Sequence, residues 1–201
     1  MKRAVVLDRD GTLIDFVRDV ELGAVVSAFH PNQLRLLPGV VEGLTRLRNA
    51  GFSLAIATNQ PGPAKGQIPR EAVTRTNDAL VALLAREGIA IEAVAVCLHH
   101  PEGGPGGDPS LAIPCACRKP QPGLLLELRA RLGFAPEASW MVGDSAGDVE
   151  AGAAAGLRTG LLFPRGRCEL CPLVDRPPCT SADLTATRFD EMANAIVERG
   201  K

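Results

Sequence analysis

The chain has 201 residues, 46% apolar and 22% charged, with 22 Lys and Arg against 23 Asp and Glu for a formal net charge of -1. These are globular proportions with length enough for a sizeable core, and the charge balance excludes the basic surface that nucleic-acid backbones require. No stretch approaches the roughly 18 uninterrupted apolar residues of a membrane span, and the opening Ala4-Val5-Val6-Leu7 stops at Asp8 before a signal-peptide core forms, so a cytoplasmic protein, taken as a monomer, is expected.

Short apolar runs alternate with stretches of helical period, the pattern of an α/β fold with a Rossmann-like parallel sheet and helices on both faces. The first strand is predicted over Ala4 to Leu7. Val40, Leu44 and Leu47 then recur at helical spacing, with Gly51 where that helix ends. Leu54 to Ala57 reads as a second buried strand running into Thr58-Asn59-Gln60. Val73, Leu80, Leu83 and Leu84 stripe the next helix, closed by Gly88. Ala93 to Val96 is a third strand. From His100 to Pro114, four prolines and four glycines within fifteen residues forbid regular structure. Leu124, Leu125, Leu128 and Leu132 mark a helix, Ser139 to Val142 a strand, Ala151 to Ala155 a helix and Leu157 to Phe163 a last strand. After a loop-like stretch from Pro164 to Thr180 comes a final helix with Phe189, Met192 and Ile196. All of 1–201 reads as a single domain, with the segment 97–117 inserted as a loop.

Polar groups gather where strands end. Asp8 and Asp10 follow the first strand, two residues apart and so able to face the same way. Thr58-Asn59, Arg118-Lys119, and Gly143-Asp144 with Asp148 also read as lying at or just after strand ends. Ligands of an open parallel sheet collect in the crevice there. Carboxylates, a hydroxyl and a lysine in one crevice suit a phosphoryl group and a hard cation such as Mg²⁺.

Cys97-x-His99 and Cys115-x-Cys117 stand at the two ends of the Gly/Pro loop, with His100 competing for the imidazole place. Three thiols and one imidazole make a Cys₃His set, which spends all four positions on closure and so points to structural Zn²⁺; free thiols are the bland alternative. Cys168, Cys171 and Cys179 read either as free thiols or as a second metal site completed by Asp175 or water.

Asp8-Arg9-Asp10-Gly11-Thr12, Thr58-Asn59-Gln60, Lys119-Pro120 and Gly143-Asp144 through Asp148 resemble, in order, the four motifs of the haloacid dehalogenase superfamily of phosphohydrolases. The resemblance spans about Lys2 to Leu162. It implies that Asp8 is a nucleophile forming an aspartyl-phosphate, that Asp10 is general acid and then base, and that Thr58 and Lys119 bind the transferring phosphoryl oxygens. It also implies Mg²⁺ between the Asp8 carboxylate, the backbone carbonyl of Asp10 and Asp144. Asp148 either touches that metal through water, orients Lys119, or simply caps a helix.

The short, capless chain and the Cys97, His99, Cys115, Cys117 set look like the zinc-containing D-glycero-D-manno-heptose-1,7-bisphosphate 7-phosphatase group, with histidinol-phosphate phosphatases sharing the plan. That implies a small phosphorylated sugar as substrate, Arg118 in contact with it, and Asn59 to Lys65 near its second phosphate or sugar. Arg118, Lys65 and Arg18 are candidates for a second anion site. The segment 15–37, with Phe16, Arg18, Glu21, Phe29 and His30, corresponds to the flap of capless members but does not match residue by residue. Ser145 stands where the heptose enzymes usually carry Lys.

A receiver-type signalling domain also combines an acceptor Asp, Mg²⁺, Thr and Lys, but places its acidic pair and acceptor on different strands. A zinc-dependent nucleic-acid module lacks its basic surplus here.

Overall fold

The computed structural model describes residues 1–19, 21, 23–163 and 182–200. Strand β1 (Arg3–Leu7) leads through the Asp8–Thr12 turn into a two-stranded antiparallel hairpin, β2 (Val17–Asp19) and β3 (Ala24–Val26). Helix α1 (Val40–Asn49), strand β4 (Phe52–Asn59), helix α2 (Arg70–Arg86) and strand β5 (Ala93–Cys97) follow. The second half runs α3 (Gly123–Leu132), β6 (Trp140–Gly143), α4 (Ala146–Ala154), β7 (Arg158–Leu162), β8 (Leu184–Ala186) and α5 (Phe189–Arg199).

Six strands pair in the order β5-β4-β1-β6-β7-β8, every neighbouring pair parallel. Both faces of such a sheet must be covered. Alternation along β1 divides the labour: Val5 and Leu7 pack with α1, α2 and α5 through Leu44, Leu80 and Met192. Ala4 and Val6 meet α3 and α4 through Leu124, Leu128 and Ala151. The small alanines of β1, β4 and β5 on this second face let α3 lie close, whereas the first face carries the bulkier Leu54, Ile56 and Trp140.

The chain fills one side of β1 with β4 and β5, then crosses to build β6, β7 and β8 on the other. This reversal of winding opens a crevice beyond the carboxyl ends of β1, β4 and β6.

Four local readings change. β8 lies beyond the strand expected to be last, because its three residues are too few for a periodic signal. Helix α4 begins at Ala146 rather than near Ala151: Ser145 caps it, accepting from the Asp148 N–H, while Asp148 accepts in return from the Ser145 N–H. The Gly/Pro loop holds one short helical turn, Pro109–Leu111, started by Asp108. Lys119 does not follow a strand; it sits in the turn leading from the Gly/Pro loop to α3. Cys168, Cys171, Asp175 and Cys179 lie outside the described residues. Among the described residues no helix is long and apolar enough to cross a membrane.

Candidate active site

The end of β1 delivers Asp8 into the crevice, its N–H donating to the carbonyl of Val142 on β6 at 2.9 Å. Gly11 then turns the chain at φ +80°, and a Cβ there would overlap the Asp144 carboxylate, so glycine is required both for the turn and for the approach of the two acidic segments. Asp8, Asp144 and Asp148 bring carboxylate oxygens within 4.8 Å of one another.

Lys119 reaches this group from the far side. Its Nζ donates to Asp8 Oδ1 at 2.7 Å and to the Ala57 carbonyl at 2.8 Å, and pairs with Asp148 Oδ1 at 2.5 Å. Asp148 therefore both caps α4 and anchors Lys119. Asn59 grips the Lys119 main chain: its Nδ2 donates to the Lys119 carbonyl at 3.0 Å, and its Oδ1 accepts from the Lys119 N–H at 3.1 Å. An amide expected near substrate is thus engaged in holding the lysine, a use that only the fold reveals.

Burial pushes the Asp8 carboxyl up from 3.8 to about 7; the Lys119 ammonium pulls it down, while Asp148 and Asp10 add like-charge repulsion. At Lys119 burial opposes the charge, but Asp148 and Asp8 outweigh it and hold the ammonium above its ordinary range. The three clustered carboxylates exceed what one lysine neutralises. That donor set suits a hard divalent cation.

Asp10 faces differently. Its carboxylate accepts from Arg9 Nε at 3.0 Å, Arg9 Nη2 at 3.1 Å and Gln60 Nε2 at 2.7 Å, and Gln60 also donates to Thr58 Oγ1 at 2.9 Å. Arg9 and Gln60, both fully shielded, stand within the first two motifs but received no role from the sequence. A charged residue between two aspartates carries no periodic signal of burial.

Cys97, His99, Cys115 and Cys117 converge as one cluster. Their sulfur separations are 3.2, 3.4 and 3.7 Å, and His99 Nδ1 lies 3.3 Å from Cys117 Sγ. A tetrahedron with Zn–S of about 2.3 Å has edges of about 3.8 Å. The set therefore fits zinc with slight expansion. His100 is outside it; its Nδ1 accepts from the Glu102 N–H.

The loop closed by this cluster packs against the segment that carries Lys65, the Asp108 N–H donating to the Pro63 carbonyl at 3.0 Å. Arg118 follows Cys117 directly and donates to the His99 carbonyl at 3.3 Å. Burial, then the positive charges of Lys65 and Arg118, hold the His100 imidazole below its ordinary value. Arg18, on the hairpin, is exposed and pairs with Asp15 at 2.9 Å. His30 caps the short turn Pro31–Gln33.

Residues 116–185 match the HAD-hydrolase-like family model. A D-glycero-beta-D-manno-heptose-1,7-bisphosphate 7-phosphatase of Pasteurella multocida is 33% identical over 167 residues, 83% of this chain and 84% of that protein.

The chain belongs to the haloacid dehalogenase-like phosphatases.

The Escherichia coli K12 enzyme of the same name is 32% identical over 98% of this phosphatase and 95% of its own length. Among solved structures, the D,D-heptose 1,7-bisphosphate phosphatase from B. bronchiseptica, complexed with magnesium and phosphate, superposes with a TM-score of 0.75 at 27% identity, covering 98% and 99% of the two chains. A HAD-like phosphatase from Mesorhizobium loti gives a TM-score of 0.75 at 28% identity over 100% of this phosphatase and 88% of that one. Membership sets aside the receiver reading.

Proposed function

We propose that this phosphatase hydrolyses a small sugar phosphate through an aspartyl-phosphate on Asp8, and that its substrate is D-glycero-D-manno-heptose 1,7-bisphosphate, from which it removes the 7-phosphate. The observation that carries the reaction is the 2.7 Å contact of Asp8 with Lys119 at the sheet's carboxyl edge, with Asp10 held two residues further on. The substrate reading rests on the heptose relatives and on the packing of the zinc loop against the segment that carries Lys65.

In the first step a carboxylate oxygen of Asp8 attacks phosphorus, the ester P–O bond breaks, and the departing sugar oxygen takes a proton from Asp10. In the second, Asp10 takes a proton from water as its oxygen attacks phosphorus. The bond to Asp8 then breaks and inorganic phosphate leaves. Thr58 and Lys119 hold the phosphoryl oxygens, and Lys119 shields Asp8 from the negative charge of the substrate. Arg118 and Lys65 bind the second phosphate, with Asn59 acting through Lys119.

Asp8, Asp144 and the Asp10 carbonyl would hold Mg²⁺, which neutralises charge on the transferring group when bound. Zn²⁺ in the cysteine and histidine cluster would be structural.

Acid quench of the enzyme turning over ³²P-labelled heptose bisphosphate should leave label on Asp8, and Asp8→Asn should leave none and abolish turnover. An Asp8→Asn protein with near wild-type rates would refute the covalent role. A panel including histidinol phosphate tests the substrate independently.

A further inference from the structure

Arg9 is one of the largest fully buried side chains, wholly excluded from solvent. A guanidinium there is tolerated only where its donors are satisfied. Nε and Nη2 form a fork on the two oxygens of Asp10. Nη1 donates to Asn77 Oδ1 on α2 at 2.7 Å, and Nη2 also donates to the Ala28 carbonyl just beyond the hairpin at 3.0 Å. Neighbouring side chains on an extended strand point to opposite faces. Arg9 and Asp10 meet because the strand has ended at Leu7 and the chain turns, with the Leu13 and Ile14 N–H groups donating to the Arg9 carbonyl.

We infer that Arg9 is a positioning residue. Fixed from outside by Asn77 and Ala28, it sets the rotamer of the Asp10 carboxylate from one side while Gln60 sets it from the other. Asp10 has to meet the departing oxygen and then the water that takes its place, both opposite Asp8 across phosphorus, and a carboxylate free to rotate would lose that alignment. Lysine could supply charge but not the planar fork or the two outer anchors. This inference rests on the acid and base role proposed above for Asp10.

The test compares kcat/KM on p-nitrophenyl phosphate, whose leaving group needs no proton, with kcat/KM on phenyl phosphate, whose leaving group does. Both are read with Mg²⁺ present. kcat/KM reports the step in which the leaving group departs, and the ratio within one preparation is independent of how much protein is folded. Proton transfer contributes about 10²–10⁴-fold, so Arg9→Lys should depress the ratio of phenyl to p-nitrophenyl phosphate by about tenfold. Asn77→Ala, which leaves the motif intact, should depress it in the same direction by less. Equal losses on both substrates in both variants would reduce Arg9 to a structural residue and overturn the inference. So would a crystal structure of Arg9→Lys with Asp10 still bonded to Gln60 in its original place. Asp10→Asn, run in parallel, separates the two claims. If it shows leaving-group dependence while Arg9→Lys does not, the inference alone falls; if it shows none, the acid role of Asp10 falls and takes the inference with it.

Discussion

Lys119 and Asp148 face each other across 2.5 Å, both shielded from water. Lys119 comes from the turn before α3 and Asp148 from the first turn of α4, so their ion pair ties that turn to the start of α4. The ammonium also serves Asp8 and the Ala57 carbonyl, which leaves no donor idle. Lys119→Met would strand two buried carboxylates. We expect a loss of about 3–5 kcal/mol in urea unfolding of the metal-free protein and a fall in kcat of at least about 10²-fold.

The raised carboxyl of Asp8 makes metal-free stability depend on pH. Folding favours its protonated form, so the contribution is fully present below the ordinary value of 3.8 and is lost as pH rises through about 7. Thermal unfolding without Mg²⁺ should therefore show falling stability across that window, and Asp8→Asn should flatten the slope. Added Mg²⁺ should stabilise the wild type most at the upper end, where Asp8 is ionised and proton competition is least.

The cysteine cluster predicts about one tightly held zinc per chain by metal analysis. Closing the loop contributes on the order of 3 kcal/mol by the cross-link estimate, so Cys117→Ser should lower the thermal midpoint by roughly 6–12 °C. Because Arg118 and Lys119 follow Cys117 directly, kcat should fall too. Mg²⁺ alone should not restore it.

Gly66 sits at φ +69°, and a Cβ there would meet the Pro105 carbonyl. The loop it belongs to is bonded to the zinc loop through the Asp108 N–H and the Pro63 carbonyl at 3.0 Å. Gly66→Ala should push the two apart and displace the neighbouring Lys65. Steady-state kinetics should show KM for the bisphosphate rising by about tenfold with kcat within about twofold, the signature of lost binding shared by ground and transition states.

Much of this was readable along the chain. Apolar runs such as Ala4–Leu7 and Leu54–Ala57 have no choice but burial in a sheet covered on both faces, and polar residues at their carboxyl ends mark where its crevice opens. Cys97-x-His99 and Cys115-x-Cys117 carry their ligand chemistry in pairs two residues apart. Such local patterns contain both the element and its chemistry.

Other features have no local pattern to be read from. Strand β8 and the hairpin are short, and their pairing comes from neighbours rather than from their own sequence. Asp8 and Lys119 are 111 positions apart, and Asn59 meets the Lys119 main chain across 60. Arg9 looks like a solvent-facing charge until Asn77, 68 residues away, and the Ala28 carbonyl close over it. Residue type and spacing determined which groups this protein has for phosphate chemistry and the kind of sheet that presents them. Which groups touch, and which are sealed from water so that their charges act strongly on one another, was decided only by the packing of distant elements, because contacts across the fold leave no trace in the order of neighbouring residues.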